Sequence, residues 1–556
     1  MIQLALLGVL AVLLVGLAGP LLAILAQALQ GDPNAGAAGA AAPAGSRILA
    51  YLMTAALWRS VWHSLWAAAL VTAITLPLAF TFAYALTRSA MPCKGLLRGI
   101  TLLPLLAPSL LSAISLIYWF GNQGLAKGLW QAIGFDAVYG AQGIVLAECF
   151  SVFPHALMIL VTGLSLADAR HYEAAQALGT SAWRQFFTIT LPGVRHGLIS
   201  AGLVTFTLVV TDFGIPKVVG GPFNVLATDV FKLVIGQQDF QRGAIVALLL
   251  LAPALLTFAV DHRVQRKQSA LLSARAVMLV PRRSPRFDAL MTLYCAAIAA
   301  LMLAMAGMAV FASFATLWPY NLAPSLVHYA SGLVDADLGV ALLNSLKLAA
   351  GCALLGPLLV FVGAYLIEKT RCLDRLRPLI RLLTTLPMAV PGLVLGLGFI
   401  FFFNAPANPL HGLYRSVALL VLCTIVHFYT TGHLTLVTAL KAIDPEFEAV
   451  SASLKVPLHT TAWRVTLPIC LPSLIDVSRY FFINAMTTVS AVVFLYTPDT
   501  RLASVAILNL DESGDTGPAA AMAVMILLIS AAVTLLYQLL SHWTLRRTQA
   551  WHQPAH

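Results

Sequence analysis

Residues 168–192 read Asp168-Ala-Arg-His-Tyr-Glu173-Ala174-Ala175-Gln-Ala-Leu-Gly179-Thr-Ser-Ala-Trp-Arg-Gln-Phe-Phe-Thr-Ile-Thr-Leu191-Pro192. Asp168 is placed to N-cap a short helix. Gly179 supplies the left-handed residue that ends it. Thr180 or Ser181 can cap a second short helix carrying Trp183 and Phe187, and Pro192 opens the helix that follows. Asp168, Leu178 and Leu191-Pro192 recur as Asp444, Leu454 and Leu467-Pro468, all at one constant offset. The second copy uses Asp444-Pro445 as cap and first turn, and Pro457 to begin its second helix. A merely amphipathic loop would lie along a membrane surface; a capped helix–turn–helix made twice suggests a docking surface for a two-fold partner.

The segments around these loops are too apolar for a soluble protein. Of 556 residues 60% are hydrophobic and 10% charged, against about 25% charged in an ordinary soluble domain, and the mean hydropathy is +0.88. This excludes a cytosolic enzyme and a secreted scaffold. The net charge of +11 does not indicate nucleic acid, because the basic residues lie in short gaps between apolar runs rather than in one domain. Twelve runs are long enough to span a bilayer: about 2–29, 61–86, 100–121, 140–163, 196–213, 243–261, 289–313, 341–367, 383–403, 417–440, 471–495 and 519–541. With the N-terminus inside, the inside gaps hold 23 Lys and Arg and the outside gaps 8, so both termini are expected in the cytoplasm. Ala26-Gln27-Ala28 could be a signal-peptidase site, but the preceding apolar run is longer than a signal peptide needs, which favours a retained helix. The stretch Gly31–Gly45 reads as a flexible outside loop.

The duplication extends beyond the loops. Ser64-Leu65 and Tyr84 match Ser345-Leu346 and Tyr365 at a slightly longer offset, and Pro104 and Pro108 match Pro387 and Pro391 at one longer still, as small insertions and deletions would produce. Six spans separate equivalent points, so the halves run in the same direction, related by a pseudo-two-fold axis along the membrane normal with a pathway between them. The expected fold is all-α and polytopic: a first half at 1–261, a basic cytoplasmic linker at 262–288 and a second half at 289–556.

Glu173-Ala174-Ala175, then Gly179, Ile189 and Leu191-Pro192, resembles the EAA loop of ABC-importer permeases. The second copy departs from it: Glu448-Ala449 is one residue out of register and Lys455 replaces the glycine, leaving Leu467-Pro468 as the good match. The resemblance implies that both loops seat on a cytoplasmic ABC ATPase homodimer, which binds the ATP and Mg, and that a periplasmic solute-binding protein delivers a small-molecule substrate. It implies a multi-pass protein of the bacterial inner membrane. Two fused six-span halves are similar to ferric-iron, thiamine and 2-aminoethylphosphonate permeases. Segments 210–221, 224–239 and 484–496 look most like the last group, and Asp212-Phe-Gly also resembles the ferric-iron permeases.

The sequence contains no G-x-x-x-x-G-K-[ST], so the chain has no P-loop with which to hydrolyse ATP. No catalytic constellation, metal cluster or cofactor motif stands out. Ionisable residues inside apolar spans need a reason. Glu148 and His155, Asp212, His427 and Asn484 are the candidates for the translocation pathway, while Asp476 and Arg479 read as a local helix pair. A secondary transporter is the alternative class, and it would need no duplicated docking loop. The topology predicts that cysteine labelling from outside reaches a probe at Ser331 and spares one at Ser273; the opposite pattern would overturn the span assignment.

Overall fold

The computed structural model describes residues 2–30, 44–271, 279–281, 283–334, 336–369, 376–444 and 446–548. Most of the loop expected at 31–45, the linker centre with Ser273, and Pro445 lie outside the described residues. The first half contains α1 (Ile2–Leu13), α2 (Gly19–Leu29), α3 (Ala44–Leu52), α4 (Ala55–Arg88), α5 (Lys94–Thr101), α6 (Ser109–Phe120), α7 (Lys127–Ala132) and α8 (Ala141–Ser165). It continues with α9 (Ala169–Ala177), α10 (Ala182–Gln185), α11 (Leu191–Thr211), α12 (Gly214–Val219), α13 (Leu226–Phe231) and α14 (Phe240–Leu271). The second half contains α15 (Pro285–Phe314), a hairpin of β1 (Ala315–Leu317) and β2 (Asn321–Pro324), α16 (Val327–Val334), α17 (Ala336–Lys369), α18 (Arg377–Thr385) and α19 (Gly392–Phe403). Then follow α20 (Val417–Lys441), α21 (Glu446–Ser453), α22 (Leu458–Thr461), α23 (Leu467–Thr487), α24 (Ala503–Glu512) and α25 (Thr516–Thr548).

Among the described residues ten helices are long and apolar enough to cross a bilayer. The expected spans 100–121 and 383–403 are not among them, because each is broken. A 3-10 turn at Leu103–Leu106, and its counterpart at Leu386–Ala389, precede Pro108 and Pro391, whose extended backbones restart the helix. Proline lacks the N–H that would continue the helical ladder. The second copy is bent by 116° at its break, and the twelve-residue α6 and α19 rise only about 18 Å each. The expected eleventh span also ends early: α23 stops at Thr487, and 490–495 form turns.

Equivalent helices pack alike: α4 on α8 and α11 in the first half, α17 on α20 and α23 in the second. The duplicated serines have matching roles, for the Ser64 hydroxyl accepts from the Leu226 N–H at 2.8 Å and the Ser345 hydroxyl from the Ala503 N–H at 2.8 Å. Each serine ties its long helix to a segment folded back into the end of the bundle away from the EAA-like loops. Those segments are buried, with Phe213, Ile215, Val219, Ala491, Val492 and Ala503 inaccessible.

The first spans are exchanged between the halves. α2 packs on α19, and α1 on α17; α15 packs on α5 and α6, with the Tyr294 hydroxyl donating to the Leu78 carbonyl at 2.9 Å. These crossings need missing side chains. A Cβ on Gly398 would stand 2.7 Å from the Pro20 carbonyl oxygen, whereas one on Gly307 would meet nothing within 4 Å. Gly398→Ala should therefore lower thermal stability of the detergent-solubilised chain by about 1–3 kcal/mol through overpacking, while Gly307→Ala should raise it by roughly 0.5–1 kcal/mol. Equal effects would show that the helix crossing is not as close as this.

Candidate functional site: the paired loops and the cavity between the halves

In the first loop the Asp168 carboxylate accepts from the Arg170 N–H at 3.1 Å and the Ser181 hydroxyl from the Arg184 N–H at 3.3 Å. Both caps lie where the sequence places them. Gly179 adopts φ +69°. The second short helix is not separate from the span that follows, since α10 runs through a π-turn at Phe186–Thr190 into α11, and Pro192 sits inside a continuous rod. The same π-turn recurs at Ala462–Thr466 ahead of Leu467-Pro468. Asp444 accepts from the Glu446 N–H at 2.9 Å, and Pro457 is the residue before α22 rather than its first turn.

Lys455 stands at φ +55°. It holds the turn that glycine holds in the first loop, at a cost of roughly 1–2 kcal/mol. Glu173 and Ala174 are exposed and Ala175 is buried. Glu448 does not take the outward place of Glu173. Its carboxylate pairs with the Lys369 ammonium at 2.8 Å, as Tyr172 receives Arg88 in the first half, and Ala449 occupies the exposed position instead. The one-residue offset visible in sequence is therefore a real inward turn of the acid. Around each loop stand exposed apolar side chains, Leu178, Trp183 and Phe187 in one and Leu454 and Trp463 in the other.

Between the halves lies a cavity of about 860 Å³. Leu203, Val204, Thr207 and Leu208 of α11 line it, and so do Arg479, Tyr480, Ile483 and Asn484 of α23, the same four positions under the offset that aligns the loops. It runs from Asp212, at the end of α11 away from the loops, to Asp261 and Gln538 near the loop-side ends of their helices. Of the residues expected on the pathway, His155, Asp212, His427 and Asn484 line it. Glu148 does not; it is 1% exposed and stands behind Asp212. Sequence reading missed Arg98 and Asp261, which also line the cavity. Arg98 counted only as an orienting charge, and Asp261 only as a span end. Arg479 bonds Asp476 at 3.7 Å, as expected, yet also faces the cavity. Beyond the cavity, at the end of the bundle away from the loops, the folded-back segments are joined by the Lys217–Glu512 ion pair at 2.6 Å and by Phe231 stacked on Phe494.

The profile of the family described as "Binding-protein-dependent transport system inner membrane component" matches twice, over residues 76–269 and 360–546. The chain belongs to that family. It is the permease subunit of an ABC importer, with two halves fused in one chain, and a multi-pass protein of the inner membrane. The ferric transport system permease protein FbpB of Actinobacillus pleuropneumoniae is 26% identical over 84% of this chain and 68% of its own length. The "Probable ABC transporter permease protein y4fN" of Sinorhizobium fredii is 25% identical over 81% of this chain and 82% of its own. The molybdenum transport system permease protein ModB of Escherichia coli is 29% identical over 29% of this chain and 72% of its own.

Proposed function

We propose that this permease imports 2-aminoethylphosphonate, accepting it from a periplasmic solute-binding protein and driven by a cytoplasmic ATPase homodimer that binds the ATP and Mg. The observation that carries the substrate reading is the two-signed cavity wall, with Asp212 and Asp261 on one side and Arg479 on the other, joined by Arg98. A small zwitterion finds both partners there, the guanidinium being the better match for a phosphonate. With the loops and both termini in the cytoplasm, the cavity reaches toward the cytoplasm and the Lys217–Glu512 pair shuts the outer end. ATP binding would close the ATPase dimer, draw the two loops together and rock the halves outward; hydrolysis would reset them. The loops carry that motion through their exposed helices, with Glu173, Ala174 and Gly179 in one and Ala449 and Lys455 in the other. Leu191-Pro192 and Leu467-Pro468 continue each loop into its spanning helix. Ferric iron is the second reading, favoured by the ferric transport permease that aligns with 84% of the chain.

A strain lacking the chain should fail to use 2-aminoethylphosphonate as phosphorus source and grow normally on phosphate. Normal growth on both, with a lesion in iron uptake, would transfer the assignment to ferric iron.

Gly179→Asp tests the loop. A Cβ there meets nothing within 4 Å, so the cost is backbone strain of roughly 1 kcal/mol plus a negative charge at the helix C-terminus. The protein should insert in normal amount, lose uptake and retain less ATPase on purification. Lys455→Asp should do less, because that position already holds a side chain at positive φ. Normal transport and ATPase retention in Gly179→Asp would remove the loop from the coupling path.

A further inference from the structure

Glu148, from α8, and Asp212, at the end of α11, stand close enough for their carboxyl groups to interact. Asp212 accepts from the Ile215 N–H at 2.9 Å. Glu148 is buried, and its Oε1 atom has no hydrogen-bond partner among the described residues. Among those residues no lysine, arginine or histidine forms an ion pair with either carboxyl. Two carboxylates facing each other away from water cannot both stay charged unless positive charge is supplied. A pair kept only for structure could share a proton and would need no access to the cavity. This pair has access, because Asp212 forms part of the cavity wall.

The pair is also absent from the other half. Under the offset that aligns the loops, the matching positions are Thr424 and Thr488. The backbone at Thr488, φ −68° and ψ 136°, reproduces that at Asp212, φ −69° and ψ 137°. The fold therefore accommodates threonine at the C-terminal end of this helix without the acid, and the carboxyls serve something that approaches from one side.

We infer that Glu148 and Asp212 form a one-sided cation subsite that receives the protonated amine of the transported solute at the end of the cavity away from the loops. An ammonium group brings three donors and one positive charge, enough to neutralise the pair and to engage the unpartnered Glu148 oxygen. Arg479, across the cavity on the second half, is left for the anionic end. The inference rests on the reading of this cavity as the path of an amine-bearing solute.

The test uses the full complex with its ATPase and binding protein. An apolar carbodiimide, which reacts with protonated buried carboxyls, is added and modification of Glu148 is followed by mass spectrometry. Methylammonium and 2-aminoethylphosphonate should each slow it, by roughly tenfold at about ten times the dissociation constant, and ethylphosphonate should not. Absence of protection by either amine overturns the subsite, as does absence of labelling, which would mean that the pair is not reached from the cavity. Protection by methylammonium in a complex that does not import 2-aminoethylphosphonate keeps the subsite and rejects only the substrate. A second variant, Glu148→Thr with Asp212→Thr, copies the pair found in the other half and should assemble with the ATPase. In a wild type that imports 2-aminoethylphosphonate, it should lower uptake at subsaturating substrate by about tenfold or more, the loss of a charge-assisted hydrogen bond. Unchanged uptake overturns the inference.

Discussion

The fold depends on helix backbones passing at close range between the two halves. Pro20 lies against Gly398, and Val426 of α20 fills the space beside Gly16, where a Cβ would be 2.6 Å from its Cγ2 atom. Lipid tails are as apolar as leucine, so helices in a bilayer are held by such close packing rather than by expulsion of water. The first span of each half thus packs against the other half. The halves also meet at the cavity itself, where α14 packs on the 3-10 turn at Leu386–Ala389.

The broken third spans follow from the same solvent. Backbone freed by Pro104, Pro108, Pro387 and Pro391 can exist at membrane depth only where protein or a polar cavity surrounds it. The breaks lie beside the cavity, which Leu105, Leu106 and Pro387 to Gly392 line. The Thr430 hydroxyl takes up one loose end by donating to the Thr384 carbonyl at 2.9 Å. The folded-back segments at the other end solve the problem differently, through the Ser64 and Ser345 hydroxyls that accept their first N–H groups.

Repetition made much of this legible in the sequence. The constant offset between the halves placed the two loops, and the Asp168 cap and the left-handed Gly179 follow from residue type alone. Unbroken apolarity, however, cannot distinguish a straight span from one bent by 116°, and the paired prolines that could have warned of it were used only to align the halves. The same apolarity extended the eleventh span through 490–495, where the chain instead turns. The pairing of Glu148 with Asp212 was not legible, because their approach depends on how α8 packs against α11, which no local pattern encodes. Arg98 and Asp261 were hidden for a related reason: a charge near a span end serves topology and pathway equally well.

The two halves have kept one backbone and diverged in chemistry. The first retains the glycine turn, the outward Glu173 and the buried acids; the second has Lys455, the inward Glu448 and Arg479. Strict two-fold symmetry would put identical groups on both sides of the cavity. Instead Asp212, Asp261 and Arg98 come from the first half and Arg479 from the second. The Lys217–Glu512 pair is asymmetric in the same way, joining the folded-back segment of one half to that of the other. Any movement that separates these segments must break that pair. The ion pair therefore favours the arrangement in which these two segments meet, at the end of the bundle away from the loops.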